Sequence, residues 1–463
     1  MPSILAIAAT AIAVIYSFLQ PKPVIGTMPY PSPFFGMVTG QDKFYKRLRD
    51  ETRLTIYTLN IPGIAIYIVN SLEMLQRVGR HIDTLPFAPM KAQTCKKVCS
   101  VSQAGMSKIY GDNLLAQDGY LYSHQRASAQ AGAPGAGLDA LSRSASKVLA
   151  AAYDRVEARG RTAINLYEFI HDATFHAMTD AMYAGLPILF LGFLPNILAK
   201  SACKARERLV AAFIDYFGND RHLDGGYLFV QLTTKVNDGT SLSLEDKARI
   251  EVGQVAAATF NTAPGAYCKE VMRLVNEVDG RSAPLLVSTL REVMRFYGTA
   301  ASLRLIYENT MLDDKYLLKK GGALLLPNCL FHTDETLWGP SAGEFDHTRF
   351  LKASYRKSSI KHPAAAFRGF SGGHVLCPGR HLASTEMLAL MDLILVRVDV
   401  VPPGGEWPPA TIGQAAGRAF PLPKKPVLVD FVPGAAGKWR VMFSDENNSS
   451  VSLVAKDMHS TKS

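Results

Sequence analysis

The chain has little with which to build a disulfide or zinc framework. Six cysteines are spread over 463 residues (Cys95, Cys99, Cys203, Cys268, Cys329 and Cys377). None forms a Cys-x-x-Cys, and the Cys-x3-Cys at 95 and 99 has no histidine pair nearby, so they read as reduced thiols. Charge is also sparse, at 19% of residues against 48% hydrophobic, with 36 Gly and 26 Pro, which excludes disordered and collagen-like chains. Fifty Lys and Arg exceed forty Asp and Glu by ten, yet they are scattered in pairs such as Lys96 with Lys97 and Lys424 with Lys425. Without one basic block interleaved with aromatics, nucleic acid is not the expected partner; an acidic protein face or an anionic membrane leaflet is. Repeats of about 20 to 50 residues are missing too, which removes solenoids and propellers. Length alone leaves the domain count open.

No charged side chain occurs from Met1 to Pro21, and Ile4 to Leu19 is an almost unbroken apolar run, just short of the roughly 20 residues that span a bilayer. A secretory signal peptide would carry a positive start and a small-x-small cleavage site, and Met1-Pro2-Ser3 offers no charge, so a retained anchor is expected over residues 1–21. Basic residues follow the run (Lys22, Lys43, Lys46, Arg47, Arg49) and none precedes it, which orients the body toward the cytoplasm. Residues 22–36, with Pro21, Pro23, Pro29, Pro31 and Pro33 in or beside them, form a stiff spacer or an ordinary surface loop.

Beyond the spacer, Leu54 to Leu59 and Ala65 to Val69 are short β-branched runs separated by turn residues, the pattern of a small antiparallel sheet. Apolar residues at i, i+3, i+4 spacing then predict helices over Leu138 to Val156, Leu166 to Tyr183, Ala199 to Phe217 and Leu244 to Glu277. Leu186 to Leu198, broken by Pro187 and Pro195, either lies against a membrane surface or connects core elements. Short strands, Pro/Gly loops and a late helix near Gly379 to Arg397 complete a mainly α pattern with a minor antiparallel β-sheet.

One cysteine stands apart. Phe370-Ser371-Gly372-Gly373-His374-Val375-Leu376-Cys377-Pro378-Gly379-Arg380 sets Cys377 between glycine-rich backbone and the start of an amphipathic helix through Leu382, Met387 and Ile394. Unpaired N–H groups at a helix start favour a thiolate, and glycines let backbone approach a flat ligand; an inert buried cysteine is the alternative.

This segment resembles the haem-ligand signature F-x-x-G-x-x-x-C-x-G of the cytochrome P-450 superfamily, met by Phe370, Gly373, Cys377 and Gly379. The resemblance implies the cytochrome P-450 fold with an N-terminal transmembrane anchor, a haem-binding catalytic domain over residues 37–445 and a polar tail over 446–463. It implies haem b with Cys377 as the thiolate to iron and Phe370 beside the sulfur. Glu292-Val293-Met294-Arg295 resembles the family's E-x-x-R, and Phe345 to Phe350 the segment that supplies Arg349 to a Glu292–Arg295–Arg349 network, although the usual Pro and Glu there are His347 and Thr348. Tyr122-x-x-x-Arg126 stands where the family often has W-x-x-x-R, so Arg126 is a candidate for a haem propionate, with Arg304 a second. The basic residue common two places before the cysteine is Val375 here.

On the helix expected over the haem, the family often has an acid followed by Thr; this chain has Asn261-Thr262, then Pro264. Thr262 can donate a hydrogen bond, Asn261 cannot exchange a proton as a carboxylate does, and Pro264 should kink the helix beside them. The Asn-Thr pair is similar to the sterol-hydroxylase and prostacyclin-synthase branch, which holds oxygenases and isomerases. The resemblance therefore implies a monooxygenase of the endoplasmic reticulum membrane, fed with electrons from NADPH by an NADPH-cytochrome reductase. It would oxidise an apolar terpenoid-, steroid- or lipid-like small molecule in secondary-metabolite biosynthesis. The alternative is a haem-thiolate isomerase acting on a peroxide without a redox partner. Candidate pocket walls are the stretch near Phe260, Thr299 to Leu303, and Leu186 to Leu194. Two other readings are weaker. Gly369-Phe370-Ser371-Gly372-Gly373 matches G-x-S-x-G but lacks the hydrophobic strand that a nucleophile elbow needs before it. A non-catalytic membrane-anchored binding protein would not need the complete cysteine signature.

Overall fold

Helices form where the apolar spacing runs for several turns, and strands where β-branched residues alternate. The computed structural model describes residues 36–61, 63–183, 199–223, 227–267, 283–298, 300–351, 364–407 and 419–434. The expected anchor (1–21), the spacer up to residue 35, the apolar stretch 186–198 and the polar tail (446–463) lie outside the described residues. Among those described, no helix is long and apolar enough to cross a membrane.

The chain order is α1 (Gln41–Thr52), β1 (Ile56–Ile61), β2 (Ile64–Val69), α2 (Leu72–Val78), α3 (Ala88–Lys97), α4 (Gln103–Tyr110), α5 (Tyr120–Ala131), α6 (Ala136–Glu157) and β3 (Thr162–Asn165). There follow α7 (Leu166–Met182), α8 (Ala199–Gly218), α9 (Leu228–Gly239), α10 (Leu244–Ala266), α11 (Ala283–Phe296), β4 (Ala301–Leu305), β5 (Thr310–Leu312), β6 (Tyr316–Leu318) and β7 (Ala323–Pro327). Two short helices, α12 (Asn328–His332) and α13 (Glu335–Trp338), lead through a loop to α14 (Arg380–Arg397), β8 (Val398–Val401) and β9 (Leu428–Pro433).

The first sheet has the order β1-β2-β7-β4, and it is not purely antiparallel. β1 and β2 form the expected antiparallel hairpin, Ile56 opposite Val69. β2 then pairs in parallel with β7, Ile66 opposite Ala323, a partner more than 250 residues away that local patterning could not reveal. β4 closes the edge antiparallel to β7 and sets Arg304 opposite Leu324.

α10 is fixed at its start by Ser243, whose hydroxyl caps the Asp246 N–H at 3.1 Å. The Asp246 carboxylate in turn accepts from the Ser102 N–H and hydroxyl, both at 2.8 Å, so the starts of α4 and α10 hold one another. The helix was expected to reach Glu277, but it ends at Ala266, where Tyr267 turns extended. Pro264 lies in its last turn, where it leaves the Phe260 carbonyl without its helical N–H, yet the helix continues through Asn261 and Thr262 to Ala266. α14 departs from its amphipathic expectation: it is buried on nearly every side because α6, α10 and α11 all pack against it.

A buried ion network fixes the loop that leads to α14. Glu292 and Arg295 have no exposure and Arg349 only 7%. Glu292 accepts from Arg295 Nη2 at 2.6 Å and Nε at 2.8 Å, and from Arg349 Nε at 3.1 and 3.2 Å. The remaining Arg295 donors reach the carbonyls of His332, Ala342 and Glu344 at 2.6 to 2.8 Å. His332 carries the chain of contacts onward: its Nε2 accepts from the Arg368 N–H at 3.0 Å, so its Nδ1 is the donor to the Gly298 carbonyl at 3.2 Å. Burial, and then Arg295, lower its pKa to about 3, which keeps the ring neutral.

Removing one partner of such a network leaves an uncompensated buried charge, a cost of about 3–5 kcal/mol. Glu292→Gln should lower the thermal midpoint by about 5–10 °C or prevent accumulation of folded protein. A melting curve within a degree or two of wild type would show the network to be energetically idle.

Candidate active site

Cys377 lies at one wall of a cavity of about 660 Å³. The same cavity is lined by Gln254, Ala257, Ala258, Asn261 and Thr262, one stripe of α10 at helical spacing. Met178 and Met182 from α7, Leu141 from α6, Phe229 from α9 and the β4 residues Ala301 to Leu303 supply much of the rest. Of the wall expected at Thr299 to Leu303, residues 300–303 take part and 299 lies outside the described residues. Phe260 does not contribute: it is 48% exposed, because helical periodicity turns it away from the stripe that holds Asn261 and Thr262.

The cysteine loop holds its shape through backbone. The Cys377 N–H donates to the Phe370 carbonyl at 3.1 Å, and the Cys377 carbonyl accepts from Arg380 Nη1 at 3.2 Å. Gly373 sits at φ +60°, a conformation that disfavours other residues. Phe370 and Gly379 both line the cavity, and a Cβ added at Gly379 would meet no protein atom within 4 Å, so a flat group can come up against the backbone there. The sequence suggests a thiolate, but burial pushes the Cys377 thiol up; the Gly379 N–H and Arg380 oppose this only in part. A bound cation at the sulfur would reverse that balance. The side chain of His374 lies outside the described residues.

Thr262 is 3% exposed, and its hydroxyl donates to the Ala258 carbonyl at 2.6 Å. Asn261 accepts from the Ala419 N–H at 3.1 Å through Oδ1, which fastens the loop bearing Phe420 to α10 and leaves the amide N–H groups as donors.

The basic residues sort differently from the expectation. Arg126 is exposed, bonded to Ser123 Oγ at 3.3 Å, and lines neither the cavity nor the recess beside it. Arg304 is 4% exposed and lines that recess with Lys91, Tyr122, Gln125 and Val375. One Arg304 donor reaches the Leu85 carbonyl at 3.3 Å, while Nε has no partner. Lys91 and Arg368 were not singled out in the sequence. Burial lowers Lys91 to about 8, and burial followed by Arg304 lowers Arg368 to about 10. Among the described residues none of these three cations has an acidic partner. Cations desolvated without counter-charge are the chemistry of an anion site, and a flat group with carboxylates at one edge and a metal for the sulfur fits these residues. Lys91 and Arg368, isolated basic residues in separate parts of the chain, gave no signal in the sequence beside Arg304.

The cytochrome P450 family model matches residues 269–431, a stretch that takes in Glu292, Arg295, Arg349 and Cys377 but begins beyond Thr262. A cytochrome P450 monooxygenase of Hypoxylon pulicicidum, nodJ, is 22% identical over 446 residues, 84% of this chain and 85% of its own length. One from Gibberella zeae is 23% identical over 447 residues, 84% of this chain and 83% of its own. Among solved structures, the retinoic-acid-bound cyanobacterial CYP120A1 superposes with a TM-score of 0.63 at 15% identity, covering 89% of this chain and all of that one. The fold is that of a cytochrome P450, and both of the sequence relatives above are named monooxygenases. The family match, the curated relatives and the structural neighbours together support the cytochrome P450 superfamily and an oxidoreductase of the monooxygenase kind, a family that implies haem iron as cofactor and a redox partner.

α10 also carries Glu251, fully buried, accepting from the Tyr183 hydroxyl at 2.5 Å and from Asn237 at 3.2 Å. Burial raises its pKa to about 7 despite those two donors. The native carboxyl keeps its proton up to that pH, whereas the unfolded one releases it near 4.5, so stability falls as pH rises from 4.5 to about 7. Glu251→Gln should remove that decline, so that the wild type loses ground to the variant across this window in thermal melts. Parallel melting curves at every pH would contradict the assignment.

Proposed function

We propose that this chain is a membrane-bound haem-thiolate monooxygenase that inserts one atom of O2 into an apolar terpenoid-, steroid- or other lipid-like substrate in secondary-metabolite biosynthesis. The observation that carries the reading is a mainly apolar cavity lined both by Cys377 and by Asn261 and Thr262 of α10. In this reading Cys377 supplies the thiolate to haem iron, Phe370 covers the sulfur, and Gly373 and Gly379 let the backbone approach the ring. Arg304, with Lys91 and Tyr122, receives the haem carboxylates in place of Arg126. The bound haem supplies oxygen activation with two electrons that a reductase draws from NADPH, so that substrate, O2, NADPH and a proton give hydroxylated product, water and NADP+.

The chain's own part is to orient and to exclude water. Methionines and alanines keep the substrate side dry, which strengthens every polar contact within. Thr262 offers a hydroxyl that can turn from Ala258 to the oxygen side. Asn261 cannot release a proton and is held by Ala419, so it orients water rather than acting as an acid. That departure is what favours the second reading, a peroxide isomerase independent of a reductase. The apolar segment Met1 to Pro21 supports an anchor in the endoplasmic reticulum membrane, and a net charge of +10 suits an acidic reductase face. Relatives in the fungi Hypoxylon pulicicidum, Gibberella zeae and Chaetomium globosum support the place in secondary metabolism.

The reduced, carbon-monoxide-treated protein should show the long-wavelength Soret band of thiolate-ligated haem, lost in Cys377→Ser; absence of any haem signal from folded wild type would refute the reading. Arg304→Leu should weaken haem binding about tenfold, read by titrating haem into apoprotein, while Arg126→Leu changes it less than twofold. Conversion of a hydroperoxide without reductase or NADPH, and no oxidation with them, would establish the isomerase instead.

A further inference from the structure

The stripe of α10 that faces the cavity has a polar residue at each end. Thr262, with Asn261 beside it, is at one end, and Gln254 lies eight residues before it, about 12 Å along the axis. Between Gln254 and Asn261 the stripe presents only Ala257 and Ala258. Gln254 is not free to face either way. Its Nε2 donates to Ser128 Oγ at 3.2 Å, and the Ser128 hydroxyl itself donates to the His124 carbonyl at 2.9 Å. Since that hydrogen is already spent, Ser128 can only accept from Gln254, which turns the amide nitrogen toward α5 and leaves Oε1 as an oriented acceptor without a described protein partner.

We propose that Gln254 is a specificity-determining residue that accepts a hydrogen bond from a hydroxyl on the substrate, about 12 Å along α10 from Thr262. This rests on the monooxygenase reading and narrows its substrate class to apolar compounds already carrying one donor group at the far end. Burying an acceptor in an apolar cavity is favourable only when a donor meets it, so the bare hydrocarbon is rejected as well as the alcohol welcomed. The substrate therefore reaches this enzyme already oxygenated once, by a prior hydroxylation or by a cyclisation quenched with water.

The test uses the haem-loaded full chain and three rigid probes, androstane, its 3β-alcohol and its 3-ketone, with affinities read from the haem absorbance change on titration. The alcohol should bind the wild type about five- to tenfold more tightly than androstane, and Gln254→Leu should bring the two within about twofold. Ser128→Ala frees the amide to turn its N–H groups inward, so the ketone should gain on the alcohol. Equal affinities in wild type, or a preference for the alcohol that survives Gln254→Leu, would overturn the assignment. A normal carbon monoxide spectrum beside an unchanged preference strikes only this inference. A missing spectrum, or refusal of all three probes, strikes the monooxygenase or apolar-substrate reading beneath it.

Discussion

A carboxylate with no exposure to water persists only where its surroundings replace every hydrogen bond that water gave it, and Glu292 meets that demand with Arg295, Arg349 and the Asp346 N–H. The cost of desolvating three charges is offset because the guanidinium groups spend their remaining donors on carbonyls of the segment between His332 and Glu344. That segment and α11 are thereby fixed to one another. His332 extends the arrangement to Arg368, two residues before Phe370, so the loop bearing Cys377 is positioned from a charge cluster that touches neither sulfur nor cavity. A neutral imidazole is the right connector, because it accepts on one nitrogen and donates on the other without adding a third positive charge.

The site is then a division of labour between charge and its absence. Arg304 and Lys91 place positive charge at the recess, with Arg368 near enough to Arg304 to be lowered by it and no acid paired with any of the three among the described residues, while the cavity itself is lined by methionine, alanine, leucine and phenylalanine with a few neutral polar groups. A cofactor with an anionic edge and a greasy face satisfies both halves at once. Cationic crowding of this kind is destabilising for the empty protein, so folding and cofactor loading should be linked.

Much of this was legible in the residues. Helical spacing placed α6, α7 and α8 to within a residue or two, and the Cys377 and Glu292 motifs with the Arg349 segment picked out the loop and the network. Elsewhere the sequence underdetermined the answer. The parallel pairing of β2 with β7 depends on contacts across the whole chain, and a period-2 pattern says nothing about its partner. α14 looks amphipathic because Glu386 and His381 break its apolar run, yet both are buried, and Glu386, with neither oxygen bonded, has its carboxyl pushed well up. The family pattern pointed to Arg126 and Arg304, whereas the charge at the recess comes from Arg304 and from Lys91, whose flanking residues form no motif. Phe260 shows the same limit in reverse: a large apolar side chain beside the key stripe faces solvent because its phase on the helix is wrong.

The cavity wall has one more property. Of the described residues that line it, none besides Cys377 carries an ionisable side chain. Serine, threonine, asparagine and glutamine shape its polar points, and the histidine that frames the loop titrates far below neutrality. The described cavity wall therefore has no acid or base of its own to imprint on a rate. With the sulfur committed to a metal, a bell-shaped response of turnover to acidity would belong to the substrate, the electron donor, Lys91 in the neighbouring recess or the fold around Glu251.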